Sequence, residues 1–171
     1  MSSAESDEMA VIRDHWACRD LIASYAPAVD WIDSASLLRI FWPRAAVDLG
    51  PGFFKGPVER YVETVIEQIE TSFLRRMHNP GYVQTRVTGD RAEAEHAAVN
   101  QTLVREPSGA YTLSTYTGRY LWKLERRAGR WGISSMLFLL VSAQHAPYDR
   151  DGEFPGLNLA EELDIRSKFF A

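Results

Sequence analysis

The segment AEAEHAAVN, residues 92–100, alternates small apolar side chains with charged or polar ones. A period of two is typical of a β-strand with one buried and one solvated face. On this pattern His96 and Asn100 share a face with the alanines at 92, 94 and 98, whereas Glu93 and Glu95 face water. The segment therefore predicts a strand that presents two polar side chains to the interior of the protein.

The same period continues on both sides of this segment, from about Leu74 onwards. It predicts four long strands, at about residues 75–88, 92–105, 111–125 and 131–145. The links between them are short and rich in turn residues: Gly89-Asp90, Pro107-Ser108-Gly109 and Ala128-Gly129. Links of this length join strands that run antiparallel.

The N-terminal part of the chain has helical spacing instead. An apolar stripe predicts a helix that is capped by Ser6 or Asp7 and runs to about Ala26, and Pro27 is expected to end or kink it because it lacks an N–H group. A short helix is predicted at 34–41, with Asp33 as its N-cap and Pro43 after its end, and a strand follows at 46–49. An amphipathic helix begins at Gly56-Pro57, and a C-terminal helix is predicted at 159–169.

Helices followed by a run of strands predict an α+β fold, with the N-terminal helices packed on one face of a curved antiparallel sheet. Residues 1–145 form one domain on this pattern, and residues 146–171 form a tail that packs on the domain or on a neighbouring subunit. Residues 136–141, MLFLLV, are apolar at both parities. Both faces of the sheet are therefore expected to be covered there, the second by a partner subunit or by the tail.

Composition argues against several classes of protein. The net charge is −4 and no basic stripe is present, so Arg75-Arg76 and Arg126-Arg127 are interpreted as solvated strand ends and no nucleic-acid binding is expected. The single cysteine, Cys18, cannot form an intrachain disulfide. The acidic N-terminus is no signal peptide and residues 136–141 are too short to span a bilayer, so a cytoplasmic protein without membrane contact is expected.

Motifs for cofactors and covalent catalysis are absent from the sequence. The four histidines lack the spacing of metal ligands, no glycine-rich phosphate loop follows a strand, and no Gly-x-Ser-x-Gly motif occurs. We therefore expect no metal and no cofactor, which leaves general acid–base chemistry as the class of reaction.

Tyr25, Asp30 and His78 are the residues expected to carry that chemistry. A carboxylate at the apolar end of a helix is costly to desolvate unless it is paired. A histidine can exchange a proton near neutral pH, and a carboxylate on one ring nitrogen leaves the other nitrogen free to act as a base. Tyr25 could donate a hydrogen bond to an enolate or a departing hydroxide. The alternative is that Asp30 and His78 form a buried polar pair without a catalytic role.

Aromatic residues make up 12% of the chain and supply candidate walls for a pocket. Asn100 is a candidate hydrogen-bond partner for the substrate, and His96 a weaker one. The candidate wall residues are Trp42, Phe54, Tyr61, Phe73, Tyr116 and Tyr120. If several of them line a cavity, the ligand should be a bulky, mainly apolar molecule such as a ring system.

Several pieces of the sequence together resemble the SnoaL-like branch of the NTF2-like, or cystatin-like α+β cone, superfamily. They include Tyr25…Asp30, the Gly56-Pro57 helix, His78-Asn79, Gly118-Arg119-Tyr120 and Arg130-Trp131. The Asp/His pairing is similar to that of scytalone dehydratase, lindane dehydrochlorinase and the bile-acid 7α-dehydratases. The resemblance implies a catalytic Asp30–His78 dyad with Tyr25 beside it, a conical pocket, and a homodimer or homotrimer.

The expected function is a cofactor-independent lyase of the dehydratase type, or an isomerase, that acts on a bulky apolar ring-type small molecule through the Asp30–His78 acid/base dyad. Two alternatives remain at this stage. One is a structural partner similar to the β subunit of a ring-hydroxylating dioxygenase, and the other is a non-catalytic binder of apolar small molecules.

Overall fold

A computed structural model describes residues 3–71, 73–148 and 159–169 of the 171-residue chain. The helices are α1 (Ser3–Ala23), α2 (Tyr25–Asp30), α3 (Ser34–Ile40), α4 (Val58–Thr71) and α5 (Leu159–Phe169). The strands are β1 (Phe41–Asp48), β2 (Lys55–Pro57), β3 (Phe73–Pro80), β4 (Gln84–Thr88), β5 (Arg91–Arg105), β6 (Tyr111–Arg127) and β7 (Arg130–Pro147).

The strands form one sheet in the order β2-β1-β7-β6-β5-β3, and β4 pairs with β5 beyond the end of β3. Every pairing is antiparallel except that of β1 with β7. The predicted α+β architecture, with N-terminal helices on a mainly antiparallel sheet, is confirmed.

The strand expected at residues 75–88 is divided into β3 and β4. Pro80 has no N–H group to donate to a neighbouring strand, and Gly81 follows it. The Gly81 N–H donates to the carbonyl of Ala97 at 2.8 Å, which keeps the interrupted segment attached to β5. The prediction of a single long strand was therefore wrong, although both halves pair with β5 as antiparallel neighbours.

The first helix is also divided. It begins at Ser3 rather than near Asp7, α1 ends at Ala23, and α2 contains Pro27 as its third residue. Proline is tolerated in the first turn of a helix, but its ring clashes with the carbonyl four residues earlier, which here belongs to Ala23. The break consequently falls before Tyr25 and not at Pro27, and Tyr25 and Asp30 become the first and last residues of one short helix.

Helix α3 begins as expected, since the Asp33 carboxylate accepts from the Ser36 N–H at 2.9 Å. It ends at Ile40, earlier than expected, and β1 already begins at Phe41. Pro43 lies inside β1, where the register against β7 shifts between Phe41 and Ala46. The helical interpretation of residue 41 was wrong because proline can be accommodated at such an irregularity in a strand.

The core lies between the helices and the inner face of the sheet. Ala92, Ala94, His96, Ala98 and Asn100 are all buried, so β5 follows the alternation that its sequence predicts. Helix α4 contributes its apolar face to this core, through Val58, Tyr61, Val62 and Val65. The sheet and α4 therefore enclose one apolar layer with a few polar side chains inside it.

The apolar run at residues 139–141 of β7 is not covered within the described part of the chain. Leu139 and Leu140 are exposed and Val141 is 72% exposed. Helix α5 contacts β3, through a 3.4 Å ion pair between Arg75 and Glu162. The expected homodimer or homotrimer remains a prediction. No described helix has the length and apolar character needed to cross a membrane.

Gly118 provides a test of this packing. It lies opposite Ala98 on β5, and a Cβ atom added to it would lie 2.5 Å from the Leu139 carbonyl oxygen and would also overlap the Phe138 ring. We expect Gly118→Ala to lower the free energy of unfolding by about 1–3 kcal/mol, because a backbone atom cannot move away as a side chain can. Urea denaturation would measure it, and a loss below about 0.5 kcal/mol would contradict the packing.

Candidate active site

The Asp30 carboxylate holds His78 through two hydrogen bonds. One oxygen accepts from the backbone N–H of His78 at 2.8 Å, and the other lies 2.6 Å from Nδ1 of the ring. An ionised carboxylate can only accept hydrogen bonds, so in the neutral ring Nδ1 carries the proton and Nε2 has the free lone pair. The side chain of His78 is 14% exposed and that of Asp30 is 16% exposed. The pair thus has the tautomer that a general base requires.

His78 lines a cavity of about 120 Å³ between α4 and the inner face of the sheet. The polar side chains of the lining are Tyr25, Tyr61, Thr64, Gln68, Arg76, His78, Asn100, Thr102, Tyr116 and Tyr120, and the apolar ones are Leu49, Phe53, Phe54, Val65 and Phe138. Asp30 stands behind His78 rather than in the wall. The structure therefore brings the expected dyad to a cavity with mixed polar and aromatic walls.

Tyrosine side chains cluster beside the dyad. The hydroxyl groups of Tyr25 and Tyr61 are 2.6 Å apart, and the Asn100 amide donates to the Tyr120 hydroxyl at 3.0 Å. Burial raises the pKa of all three phenols above its ordinary value, so they are neutral donors at neutral pH. The Tyr25 ring also meets the His78 ring edge-on, with centroids 5.8 Å apart. Tyr25 is thus beside His78 as expected, with its hydroxyl bonded to Tyr61.

Most of the predicted wall residues lie in the cavity. Phe54, Tyr61, Asn100, Tyr116 and Tyr120 all line it. Phe73 begins β3, and its side chain lies outside the described part of the structure.

Trp42 does not belong to the described lining. Its indole N–H donates to the Glu125 carbonyl at 3.0 Å, and the Arg130 guanidinium lies 4.0 Å from its ring centroid. The prediction that Trp42 lines the cavity was wrong because residue 42 lies in the irregular start of β1 and not at the end of a helix.

His96 is buried but stands apart from the cavity lining. Its ring stacks on Tyr120 and Trp122, with centroids 5.1 and 5.7 Å away, and its Nδ1 accepts from the Trp122 indole N–H at 3.1 Å. Indole nitrogen can only donate, so Nδ1 of His96 must be unprotonated. His96 is therefore a neutral part of the aromatic core and not a partner for the ligand.

Arg76 and Thr102 line the cavity although the sequence pattern did not indicate it. The pair Arg75-Arg76 was expected to be a solvated strand end, and for Arg76 this was wrong. Burial lowers the pKa of Arg76 from its usual value, and the nearby Tyr61, Tyr25 and Asp30 raise it. The alternation along the strand could have revealed Arg76. Residues i and i+2 of a strand share a face, so Arg76 lies on the same face as His78.

The cavity is small. Its volume is about 120 Å³, and the cavity is open to solvent. The bulky, mainly apolar ring-type ligand that the aromatic content suggested remains a prediction. Within the described residues, no group of three His, Cys, Asp or Glu side chains is arranged to hold a metal ion.

Comparison with known proteins gives a family match. The model of a family described as SnoaL-like domain matches residues 10–136. No curated protein matches the chain.

Solved structures share the fold at low identity. An NTF2-like protein with a cystatin-like fold from Novosphingobium aromaticivorans is 20% identical, with a TM-score of 0.60 over 88% of this chain and 90% of that one. A candidate scytalone dehydratase from the same organism is 15% identical, with a TM-score of 0.67 over 81% and 91%. A hexachlorocyclohexane dehydrochlorinase from Novosphingobium barchaimii is 17% identical, with a TM-score of 0.69 over 82% and 94%.

The environment of His96 predicts a pH dependence of stability. Burial lowers its pKa to about 4, below the value of about 6.5 expected in the unfolded chain. The unfolded state therefore takes up a proton first as the pH falls. The contribution of neutral His96 to the free energy of unfolding is complete above pH 6.5 and is lost progressively down to about pH 4. The loss is about 3 kcal/mol. We expect His96→Gln, which keeps an acceptor but does not titrate, to flatten the fall in unfolding free energy between pH 7.5 and pH 5.

The matched control is His15→Gln, at a partly buried histidine that bonds Thr85 at 2.8 Å. It should retain the pH dependence of the unmodified protein. Parallel curves for the protein and the His96 variant would contradict the assignment of His96 as a neutral core residue.

Proposed function

The chain belongs to the SnoaL-like domain family, and we propose that it is a cofactor-independent lyase in which His78 removes a proton from a carbon atom of the substrate. The observation that supports this most directly is the double hydrogen bond between Asp30 and His78 at the wall of a cavity. Solved structures of the same fold include dehydratase-like and dehydrochlorinase proteins, which agrees with lyase chemistry at the level of the fold.

The dyad is suited to accept a proton. When Nε2 of His78 takes a proton, the ring becomes an imidazolium, and the Asp30 carboxylate 2.6 Å from Nδ1 stabilises that charge. The second bond, from the His78 backbone N–H to the same carboxylate, holds the ring and the carboxylate in one orientation. Fixed geometry of this kind removes reorganisation cost from the transition state.

The proposed reaction is an elimination. His78 takes the proton from a carbon next to a carbonyl or similar electron-withdrawing group, and the electrons of the broken C–H bond form a C=C bond. The bond from the adjacent carbon to a hydroxyl group breaks at the same time or afterwards. The imidazolium returns its proton to the leaving hydroxide, so the products are an unsaturated compound and one water molecule.

The linked phenols are suited to stabilise the oxygen on which charge develops. The Tyr25–Tyr61 pair contains two hydroxyl protons and uses one in its mutual hydrogen bond. When Tyr25 donates to Tyr61, the Tyr61 proton is available to an enolate oxygen in the cavity. We therefore assign Tyr25 and Tyr61 together to this role, in place of Tyr25 alone.

The size of the cavity restricts the substrate. The reacting part must be no larger than about a single ring, whereas any larger portion has to extend through the mouth, where Phe53 is 47% exposed. An isomerase that returns the proton to a different carbon would use the same groups. A non-catalytic binder or a structural β-subunit-like partner would not need the tautomer that Asp30 imposes on His78.

Replacement of either member of the dyad tests the proposal. We expect His78→Ala and Asp30→Asn each to lower kcat by about 10²–10⁴-fold, the usual contribution of a general base. An asparagine that turns its N–H₂ towards Nδ1 favours the tautomer with the proton on Nε2, which cannot act as a base. The assay follows dehydration of a panel of single-ring β-hydroxy ketones through the ultraviolet absorbance of the conjugated product, and exchange of the α-hydrogen in D₂O by NMR.

The matched control is His15→Gln, which changes a histidine outside the cavity. It should keep full activity, and circular dichroism should show native folding of all variants. If a substrate is turned over and both dyad variants turn it over at the normal rate, the lyase proposal fails. Binding of panel compounds without turnover or α-hydrogen exchange would instead support the non-catalytic binder.

A further inference from the structure

We propose that the substrate of this cavity is an oxygenated ring that bears a hydroxyl group, and that Asn100 selects this hydroxyl over a halogen at the same position. Thr102 is the second anchor, for another oxygen substituent of the same ligand. The inference rests on the proposed function for the reaction, and it deepens that function because it names the class of substrate. Two buried polar atoms in the cavity wall and their positions on β5 carry it.

The first observation is a buried acceptor that receives no hydrogen bond. Asn100 is 6% exposed and lines the cavity. Its side-chain N–H₂ donates to the Tyr120 hydroxyl at 3.0 Å, which holds the amide in one orientation. The buried Oδ1 atom of Asn100 has no hydrogen-bond partner among the described residues. An amide oxygen can only accept, so Oδ1 requires an O–H or N–H group on the ligand.

The second observation lies two residues further along the same strand. The Oγ1 atom of Thr102 is also buried, and no described residue forms a hydrogen bond with it. Thr102 lines the cavity together with Asn100. A hydroxyl can donate or accept, so Thr102 can bind a hydroxyl, ether or carbonyl oxygen. Residues i and i+2 of a strand are about 7 Å apart, which suits oxygen atoms on opposite sides of one ring better than oxygen atoms on adjacent carbons.

A purely apolar or halogenated ligand does not complement this wall. Buried polar groups in native proteins are nearly always hydrogen-bonded, either to protein or to ordered water. A ligand that fills the cavity excludes solvent from these atoms and has to supply hydrogen bonds of its own. A carbon-bound chlorine has no proton for Oδ1 of Asn100, whereas a hydroxyl has one. The wall therefore distinguishes a hydroxyl from a halogen at the same position.

The position of Asn100 on the sheet connects this selection to the reaction. Asn100 and His78 are cross-strand partners, and the Cβ atoms of such a pair are about 5 Å apart. A hydroxyl that donates to Oδ1 of Asn100 keeps its lone pairs for the protonated ring of His78. His78 can then return its proton to this oxygen as the C–O bond breaks, which forms the water molecule of the proposed elimination. Asn100 is thus placed to bind the leaving group.

The experiment measures the binding of three unreactive ring compounds to the full chain by NMR titration at neutral pH. 4-Methoxyphenol has a donor at one end and an acceptor at the other, 4-chloroanisole has chlorine in place of the hydroxyl, and 1,4-dimethoxybenzene has an acceptor at both ends. We expect 4-methoxyphenol to bind at least about ten-fold more tightly than either of the others, because it alone can donate to Oδ1 of Asn100. None of the three can undergo the proposed elimination, so the result does not depend on turnover.

Two variants test the two anchors. Asn100→Leu has a similar volume and no acceptor, so it should reduce the preference for 4-methoxyphenol over 4-chloroanisole to less than about two-fold. Thr102→Val keeps the shape of the side chain and removes a hydroxyl that bonds no described residue, so it should fold as the unmodified protein does. It should abolish the preference for 4-methoxyphenol over 4-methylphenol and keep the preference over 4-chloroanisole.

The matched control is Gln101→Leu, which removes a side-chain amide one position along β5. Gln101 is exposed, and its amide donates to Thr115 at 3.3 Å. This variant should keep the full preference for 4-methoxyphenol, and circular dichroism should show native folding of all variants. The inference is overturned by equal or tighter binding of 4-chloroanisole or 1,4-dimethoxybenzene, by absence of binding of all three compounds, or by an equal effect of the Asn100 and Gln101 variants.

The two proposals can fail separately. A preference for 4-methoxyphenol that depends on Asn100, together with undiminished turnover in both dyad variants, would remove the lyase and leave the class of ligand. Absence of that preference, together with loss of turnover in the dyad variants, would remove the selection by Asn100 and leave the lyase.

Discussion

The two hydrogen bonds from His78 to one carboxylate are the constraint on which the arrangement of the site depends. They fix the last residue of α2 against the inner face of β3, with Asp30 accepting from both the backbone and the ring of His78. Helix α2 must therefore end where it does and approach the sheet at that point. The break before Tyr25, which Pro27 imposes on the N-terminal helix, allows this approach because it separates the direction of α2 from that of α1.

The surroundings of the dyad determine what it can do with a proton. The phenols beside it are kept neutral by burial, so they donate hydrogen bonds but do not compete as bases. Arg76 places a positively charged side chain in the same wall.

Sequence patterns predicted the parts of the site that lie in regular structure. Alternation along β5 correctly turned Asn100 and His96 inwards, and the Asp33 cap marked the start of α3. Arg76 was missed because two adjacent arginines hide the alternation that would reveal an inward position. Trp42 was misplaced because Pro43 stands in an irregular part of β1, which local propensity cannot distinguish from the end of a helix. A proline or two adjacent arginines therefore fit more than one local structure, and tertiary contacts decide which one forms.

The contrast between the two inward histidines shows why residue type alone does not assign a role. His78 has a carboxylate on Nδ1, which forces a proton onto that nitrogen and frees Nε2 at the cavity wall. His96 has an indole N–H on the same nitrogen, which forces the opposite tautomer, and burial lowers its pKa to about 4. A proton on His78 further disfavours one on His96. The partner of Nδ1, and not the histidine itself, separates a candidate base from a neutral core residue.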